Sequence, residues 1–221
     1  MIVPFDQVYY ISLKNYPSRR LKMENYILDI NLIDKHEKSP IWYEANSGLN
    51  VDHLVDNSIK LQNRRAKMSM SEIGCFASHR AIWKLVAEGD AETVLILEDD
   101  ARFESDKFLD FMTNFDSLPE WDYINFGFKP IKGSIEDRLE IVQNPFFKTL
   151  YSGAGMWLTH AYAIKKKAAE YFYRNTNVQL GCVDWQLTGL QGQIKSFGFS
   201  PELIKQLKVT MSNPSTIKHT Q

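Results

Sequence analysis

Three adjacent carboxylates, Glu98, Asp99 and Asp100, follow directly on the apolar run Thr93-Val94-Leu95-Ile96-Leu97. Three negative charges at the end of a hydrophobic segment are unfavourable unless something positive lies against them. Carboxylate oxygens suit hard divalent ions such as manganese or magnesium, and such ions commonly bridge a protein carboxylate to substrate phosphates. A nucleotide diphosphate is therefore a natural partner. The plainer reading is a solvated acidic turn or a charge cluster at a helix start, which is the commoner meaning of such runs. On continued strand geometry, Glu98 and Asp100 face one side about 7 Å apart and Asp99 faces the other.

The surrounding elements favour a site. The run 93–97 has no polar alternation, as expected of a strand buried on both faces, and open α/β sheets place ligands at the carboxyl edge of such strands. Gln7 to Leu13 reads as a strand, Asn15, Pro17 and Ser18 mark a turn, and Arg19 to Ile30 forms a helix with Leu21, Tyr26, Ile27 and Ile30 on its apolar face. Ser71-Glu72-Ile73-Gly74 opens the strongest helix, running to about Ala87 with Phe76, Ile82, Leu85 and Val86 for its buried stripe. A helix from Asp106 to Phe115, a strand from Tyr123 to Phe126 and a helix from Ala161 to Tyr173 continue the alternation. That pattern predicts an α/β sandwich with a mainly parallel central sheet. Residues 34–70 are polar and irregular, and predict a long surface segment that shapes an acceptor pocket or acts as a lid.

A chain of 221 residues fits a single domain over 1–221, and 44% hydrophobic with 24% charged residues is ordinary for a folded protein. With 26 basic and 27 acidic side chains the net charge is −1, so no global field draws nucleic acid. Cys75 and Cys182 make neither a disulfide framework nor a four-ligand zinc pattern, and predict a reducing cytoplasm. No apolar stretch approaches the ~20 residues of a membrane span, and the amino terminus lacks a charged start followed by an apolar run. The expectation is a protein neither exported nor membrane-spanning. Lys165-Lys166-Lys167 is a solvated helix start, or a peripheral contact with anionic lipid on the cytoplasmic face of the inner membrane.

Three segments are together similar to glycosyltransferase family 25, the lipooligosaccharide and collagen galactosyltransferase family. They are Val8-Tyr9-Tyr10-Ile11-Ser12-Leu13 with Ser18-Arg19-Arg20, then Ser71-Glu72-Ile73-Gly74-Cys75-Phe76-Ala77-Ser78-His79, then Val94 to Ala101 around the triplet. The resemblance covers most of the chain, weakening between residues 34 and 65 and after about residue 186. It implies a single-domain GT-A type, Rossmann-like nucleotide-diphosphosugar transferase fold, a Mn2+ or Mg2+ ion, and inversion at the anomeric carbon. Glu98 to Asp100 then correspond to the Asp-x-Asp element, with Asp100 the metal ligand and Glu98 and Asp99 donor contacts.

The loop after the first strand holds the nucleotide base in such folds, which makes Ser12, Leu13 and Arg20 donor contacts; Arg20 reads equally as a surface helix residue. Ser78 and His79 lie near the donor by the same resemblance, against the plainer reading of His79 as a core hydrogen-bonding group. Gly74 allows close approach of chain or ligand, or serves the helix start. Cys75 reads as a small buried hydrophobe. The segment Tyr151 to Trp157 resembles a small-residue stretch of the family that approaches the sugar or permits tight packing. Asp184 is similar in placement to a late acidic residue and is taken as the general base. His219, beyond Pro214-Ser215-Thr216-Ile217, reaches back to the metal or belongs to a flexible tail over 212–221. His160 departs from the family pattern. The collagen-modifying branch is much longer, so a collagen acceptor is not expected.

The resemblance thus implies a metal-dependent inverting glycosyltransferase moving a hexose, with galactose from UDP-galactose the leading choice, onto an oligosaccharide or glycolipid such as lipooligosaccharide. Two other classes compete. One is a catalytically inactive nucleotide-sugar binding module. The other is a phosphoacceptor regulatory domain with Asp99 or Asp100 as its phosphorylation site.

Overall fold

The apolar runs pair into a large sheet in the computed structural model, which describes residues 1–48, 68–130, 139–147, 150–177 and 181–207. In chain order the elements are β1 (Gln7–Ser12), α1 (Pro17–Asp29), β2 (Ile41–Glu44), α2 (Met70–Glu88), β3 (Thr93–Glu98), β4 (Ala101–Phe103) and α3 (Ser105–Thr113). They continue with β5 (Tyr123–Asn125), β6 (Lys129–Pro130), β7 (Leu139–Ile141), β8 (Leu150–Gly153), β9 (Met156–Trp157), β10 (Ala161–Lys165), α4 (Lys166–Asn175), α5 (Val183–Leu190), β11 (Ser196–Phe199) and β12 (Ile204–Gln206).

Eight strands join in the order β2-β1-β3-β10-β5-β11-β8-β7, and β4–β12 and β6–β9 form two small antiparallel pairs. Within the large sheet β2, β1, β3, β5, β11 and β7 run one way, while β10 and β8 run the other. The expected α/β fold with strands mainly in one direction is therefore present, with β10 inserted as a reversed central strand.

Helices cover both faces, which is why β3 reads as an unbroken apolar run. Leu95 and Leu97 join one core with Met23 and Ile27 of α1 and Phe108 and Phe111 of α3. Val94 and Ile96 join the other with Phe76, Ile82 and Trp83 of α2 and Phe172 of α4. Both cores are rich in aromatic contacts, such as Phe108 with Phe126 at 5.7 Å and Trp83 with Phe172 at 5.5 Å between ring centroids.

The helix expected over Ala161 to Tyr173 is two elements. Ala161 to Lys165 form β10, hydrogen-bonded to β3 and β5, and the helix starts at Lys166. Ala161 and Ala163 enter one core while Tyr162 and Ile164 enter the other. That period of two is a strand pattern, and tertiary pairing overrides the helix preference of alanine. Within 34–70, Ile41 to Glu44 form an edge strand parallel to β1 rather than irregular chain; residues 49–67 lie outside the described residues. Helix α2 begins at Met70, capped by Ser69, whose hydroxyl accepts from Glu72 N at 3.2 Å while the Glu72 carboxylate accepts from Ser69 N at 2.7 Å. Leu85, expected in its buried stripe, is exposed.

The three lysines of the 165–167 run each have an intramolecular partner. Lys165 lies 4.9 Å from the Trp121 ring centroid, Lys166 donates to Gly89 O at 2.7 Å, and Lys167 pairs with Asp122 at 2.7 Å. No helix among the described residues is long and apolar enough to cross a membrane.

Candidate active site

The carboxyl ends of β1 and β3 lie side by side, with Ile11 paired to Glu98, so the next residue of each strand meets its neighbour. Ser12 Oγ donates to Asp99 Oδ2 at 2.7 Å. A cleft of about 270 Å³ opens at this edge, walled by Ser12, Leu13, Arg19, Cys75, His79 and Glu98 among others. It lies where α/β sheets bind ligands.

The triplet divides differently from the expected alternation. Strand β3 ends at Glu98, and the chain turns at Asp99 and Asp100. These two aspartates consequently share one cation. Arg19, from the first turn of α1, hydrogen-bonds Asp99 and stands 3.3 Å from Asp100 Oδ2. Glu98 stays apart, facing His79 and Thr159. The residue that meets the acidic pair is thus Arg19 and not Arg20, which lies 4.3 Å from the Trp42 ring centroid and 3.4 Å from Glu24. Two adjacent arginines at a helix start offer no sequence signal for which one turns toward the sheet edge; helix phase relative to β3 decides it.

Burial pushes the Asp100 carboxyl up to about 7, helped by the charge of Glu98 and opposed by Arg19. Asp99 is raised for the same first reason and opposed by Arg19 and Ser12. Asp100 Oδ1 is buried and has no hydrogen-bond partner among the described residues. A raised carboxylate with an orphaned oxygen beside a second carboxylate fits a hard divalent ion, which would take up that oxygen and relieve the crowding. Asp100 with its neighbour Asp99 is therefore a chemically suitable holder for Mn2+ or Mg2+. His219 lies outside the described residues.

Glu98 Oε1 is 3.3 Å from His79 Nε2 and accepts from Thr159 Oγ1 at 3.0 Å. Burial raises this carboxyl, but the hydrogen bond and charge of His79 outweigh it and leave the group below its ordinary value. His79 is fully buried in α2, its Nδ1 2.9 Å from the Tyr162 hydroxyl, which also accepts from Trp83 Nε1 at 2.9 Å. It is both a core hydrogen-bonding group and part of the cleft wall.

Asp184, in the first turn of α5, enters through Thr159, whose Oγ1 lies 3.2 Å from Asp184 Oδ1. Burial, then the charge of Glu98, pushes Asp184 up to about 6. Thr159 carries no motif, and nothing in the sequence marks it. Its aim comes from the turn before it. Leu158 adopts φ 87°, a left-handed conformation that is strained for a branched side chain, and Asn125 Nδ2 fixes that turn by donating to Leu158 O at 2.8 Å.

Ser78 lines the cleft, but its hydroxyl donates to Gly74 O at 2.7 Å and accepts from Asn46 N at 2.8 Å. It fastens α2 to the chain after β2 rather than facing a ligand. Gly74 serves the same approach: a Cβ there would collide with Asn46 O and lie 2.9 Å from Gly48 N. In the small-residue segment Gly153 and Gly155 have φ of 120° and 95°, so backbone conformation is one reason for glycine there. His160 is buried, 2.8 Å from Ile204 O, and burial pushes its imidazole down.

The family model described as glycosyltransferase family 25 (LPS biosynthesis protein) matches residues 5–184. A Drosophila melanogaster glycosyltransferase 25 family member is 31% identical over 176 residues, covering 74% of this chain and 27% of that protein. Human procollagen galactosyltransferase 2 is 29% identical over 133 residues, covering 57% and 21%. The human inactive glycosyltransferase 25 family member 3 is 29% identical over 179 residues, covering 76% and 28%. The chain belongs to glycosyltransferase family 25. It spans about a quarter of the length of these curated relatives. Family membership sets aside the phosphoacceptor reading of Asp99 and Asp100.

Proposed function

We propose that the chain is an inverting, metal-dependent hexosyltransferase that moves galactose from UDP-galactose onto a saccharide acceptor such as a lipooligosaccharide. The observation that carries the reading is the convergence, at one sheet edge, of the Arg19-bound pair Asp99–Asp100 with the Glu98–Thr159–Asp184 chain.

The division of labour follows from the residues. The cleft walled by Ser12 and Leu13 accepts the nucleotide end, at the edge where such sheets bind ligands. Arg19 holds Asp99 and Asp100 in place, and its guanidinium offers positive charge to a diphosphate. Asp100, with Asp99, would hold Mn2+ or Mg2+, which when bound supplies positive charge to the departing phosphate oxygens. Asp184 takes the proton from the acceptor hydroxyl as that oxygen attacks the face opposite the leaving group. A carboxyl raised to about 6 is a stronger base than an ordinary aspartate and is still mostly ionised at neutral pH. Galactose as donor sugar is supported by the galactosyltransferase named among the relatives.

One observation favours a second reading, a binding module without turnover. Arg19 already supplies a cation to both aspartates, and one relative is named inactive. The two readings separate in a screen of nucleotide sugars with Mn2+, Mg2+ or EDTA, following nucleotide release with and without saccharide acceptors. Metal-dependent release from one donor, accelerated by an acceptor, is expected. Donor binding without release under every condition would overturn the transferase reading.

A further inference from the structure

The cleft wall opposite the Asp99–Asp100 pair carries a different donor set. Cys75 and His79 sit four residues apart on α2 and so share a face of the helix, and Glu98 meets them from the end of β3. One ligand atom from each of the three lies within 4.8 Å of the others, His79 Nε2 and Glu98 Oε1 being 3.3 Å apart. Tetrahedral zinc, with bonds of about 2.0–2.3 Å, needs ligand separations of roughly 3.3–3.8 Å. The cluster therefore has to contract by only about 1 Å to close on an ion.

The outer contacts point the same way. A metal-bound histidine is normally oriented by a partner on its other ring nitrogen. Here Tyr162 OH sits 2.9 Å from His79 Nδ1 and is itself held by Trp83 Nε1, which leaves Nε2 turned toward Glu98. Glu98 is steadied in turn by Thr159 at 3.0 Å. All three residues line the cleft, which brings the cluster to its wall. A sulfur and an imidazole nitrogen select against Mg2+ and Mn2+, which prefer oxygen, and in favour of zinc-like ions. The geometry points to Cys75, His79 and Glu98 as a three-ligand site for a borderline-soft divalent ion of the zinc class, separate from the all-oxygen pair Asp99–Asp100.

The test reads the metal directly and requires no transferase activity. The chain carries two cysteines, so a Cys182→Ser variant leaves Cys75 as its sole thiol. In that background, Co2+ is expected to give a thiolate-to-metal charge-transfer absorption that saturates and is erased by Zn2+. Zn2+, but not excess Mn2+, should slow alkylation of Cys75 about tenfold or more. Glu98→Gln should weaken Zn2+ by about tenfold or more, the range typical of disturbed metal sites, while Asp100→Asn should leave it unchanged. Absence of the charge-transfer band, equal protection by Mn2+, or an unchanged Zn2+ affinity in Glu98→Gln would overturn the site.

Discussion

Glu98 and Asp184 are joined through a single hydroxyl, Thr159 Oγ1 lying 3.0 Å from one carboxylate and 3.2 Å from the other. A hydroxyl has one hydrogen, so it donates to one carboxylate at a time, and donation to Asp184 favours the ionised form of a carboxyl that burial raises to about 6. Thr159→Val removes the hydroxyl at nearly constant volume. Transfer near pH 6 is expected to fall about tenfold, and the acid limb of the pH–rate profile to move upward, because the Thr159 hydrogen bond lowers the Asp184 carboxyl. Thr159→Ser should restore both; an unchanged profile in Thr159→Val would break the link between hydroxyl and base.

Asp184 itself is tested by Asp184→Asn. If it takes the acceptor proton, kcat falls by roughly 10²–10⁴-fold while donor binding is spared. In the wild type the rate should rise with pH through about 6 as Asp184 loses its proton. Steady-state kinetics across pH, with donor affinity measured by calorimetry, checks both; full activity in the variant would remove Asp184 from the mechanism.

Asp100 has a stability signature. Its carboxyl is raised from 3.8 to about 7 in the folded chain, so the native state holds that proton more tightly than the unfolded state. The stability this contributes is complete below the unfolded value and is lost as pH rises through about 7. Asp100→Asn should therefore match wild type near pH 4 and exceed it near pH 8, Tm rising by about 2–4 °C per kcal/mol relieved. Thermal melts at the two pH values decide it. Mn2+ should raise the wild-type Tm at the higher pH and leave the variant unmoved.

Neighbouring arginines should behave differently. Arg19→Ala strips the cation from two largely buried aspartates and should cost about 3 kcal/mol, the low end for breaking a buried pair. Arg20→Ala loses stacking on Trp42 and should cost about 0.5–1 kcal/mol. Urea denaturation separates the two; equal losses would contradict the assignment of Arg19 to the acidic pair.

Gly74→Ala tests the clamp between α2 and the chain after β2. Helix preference alone would favour alanine by about 1 kcal/mol. The Cβ would meet backbone at Asn46 and Gly48, which cannot swing away, so a net loss of about 1–3 kcal/mol is expected. A gain in stability would show that this approach is loose.

Local pattern alone is enough to set several parts of this protein. The unbroken apolar run 93–97 predicts a strand buried on both faces, and α1, α2 and β3 follow from periodicity and turn residues. The motifs around Ser12, His79 and Glu98 carried the family. What the sequence left open depends on register and helix phase, which no local pattern encodes. Ala161 to Lys165 became a central strand because β3 and β5 offer it hydrogen bonds on both edges. Arg19 rather than Arg20 met the aspartates because α1 presents that side of its first turn to the sheet edge, and the triplet divided after Glu98 because β3 ends there. Thr159 reached Glu98 and Asp184 through a strained turn at Leu158 whose purpose is visible only once α5 is packed beside β9 and α2. Residues far apart in the chain become one site only when tertiary packing fixes their distances.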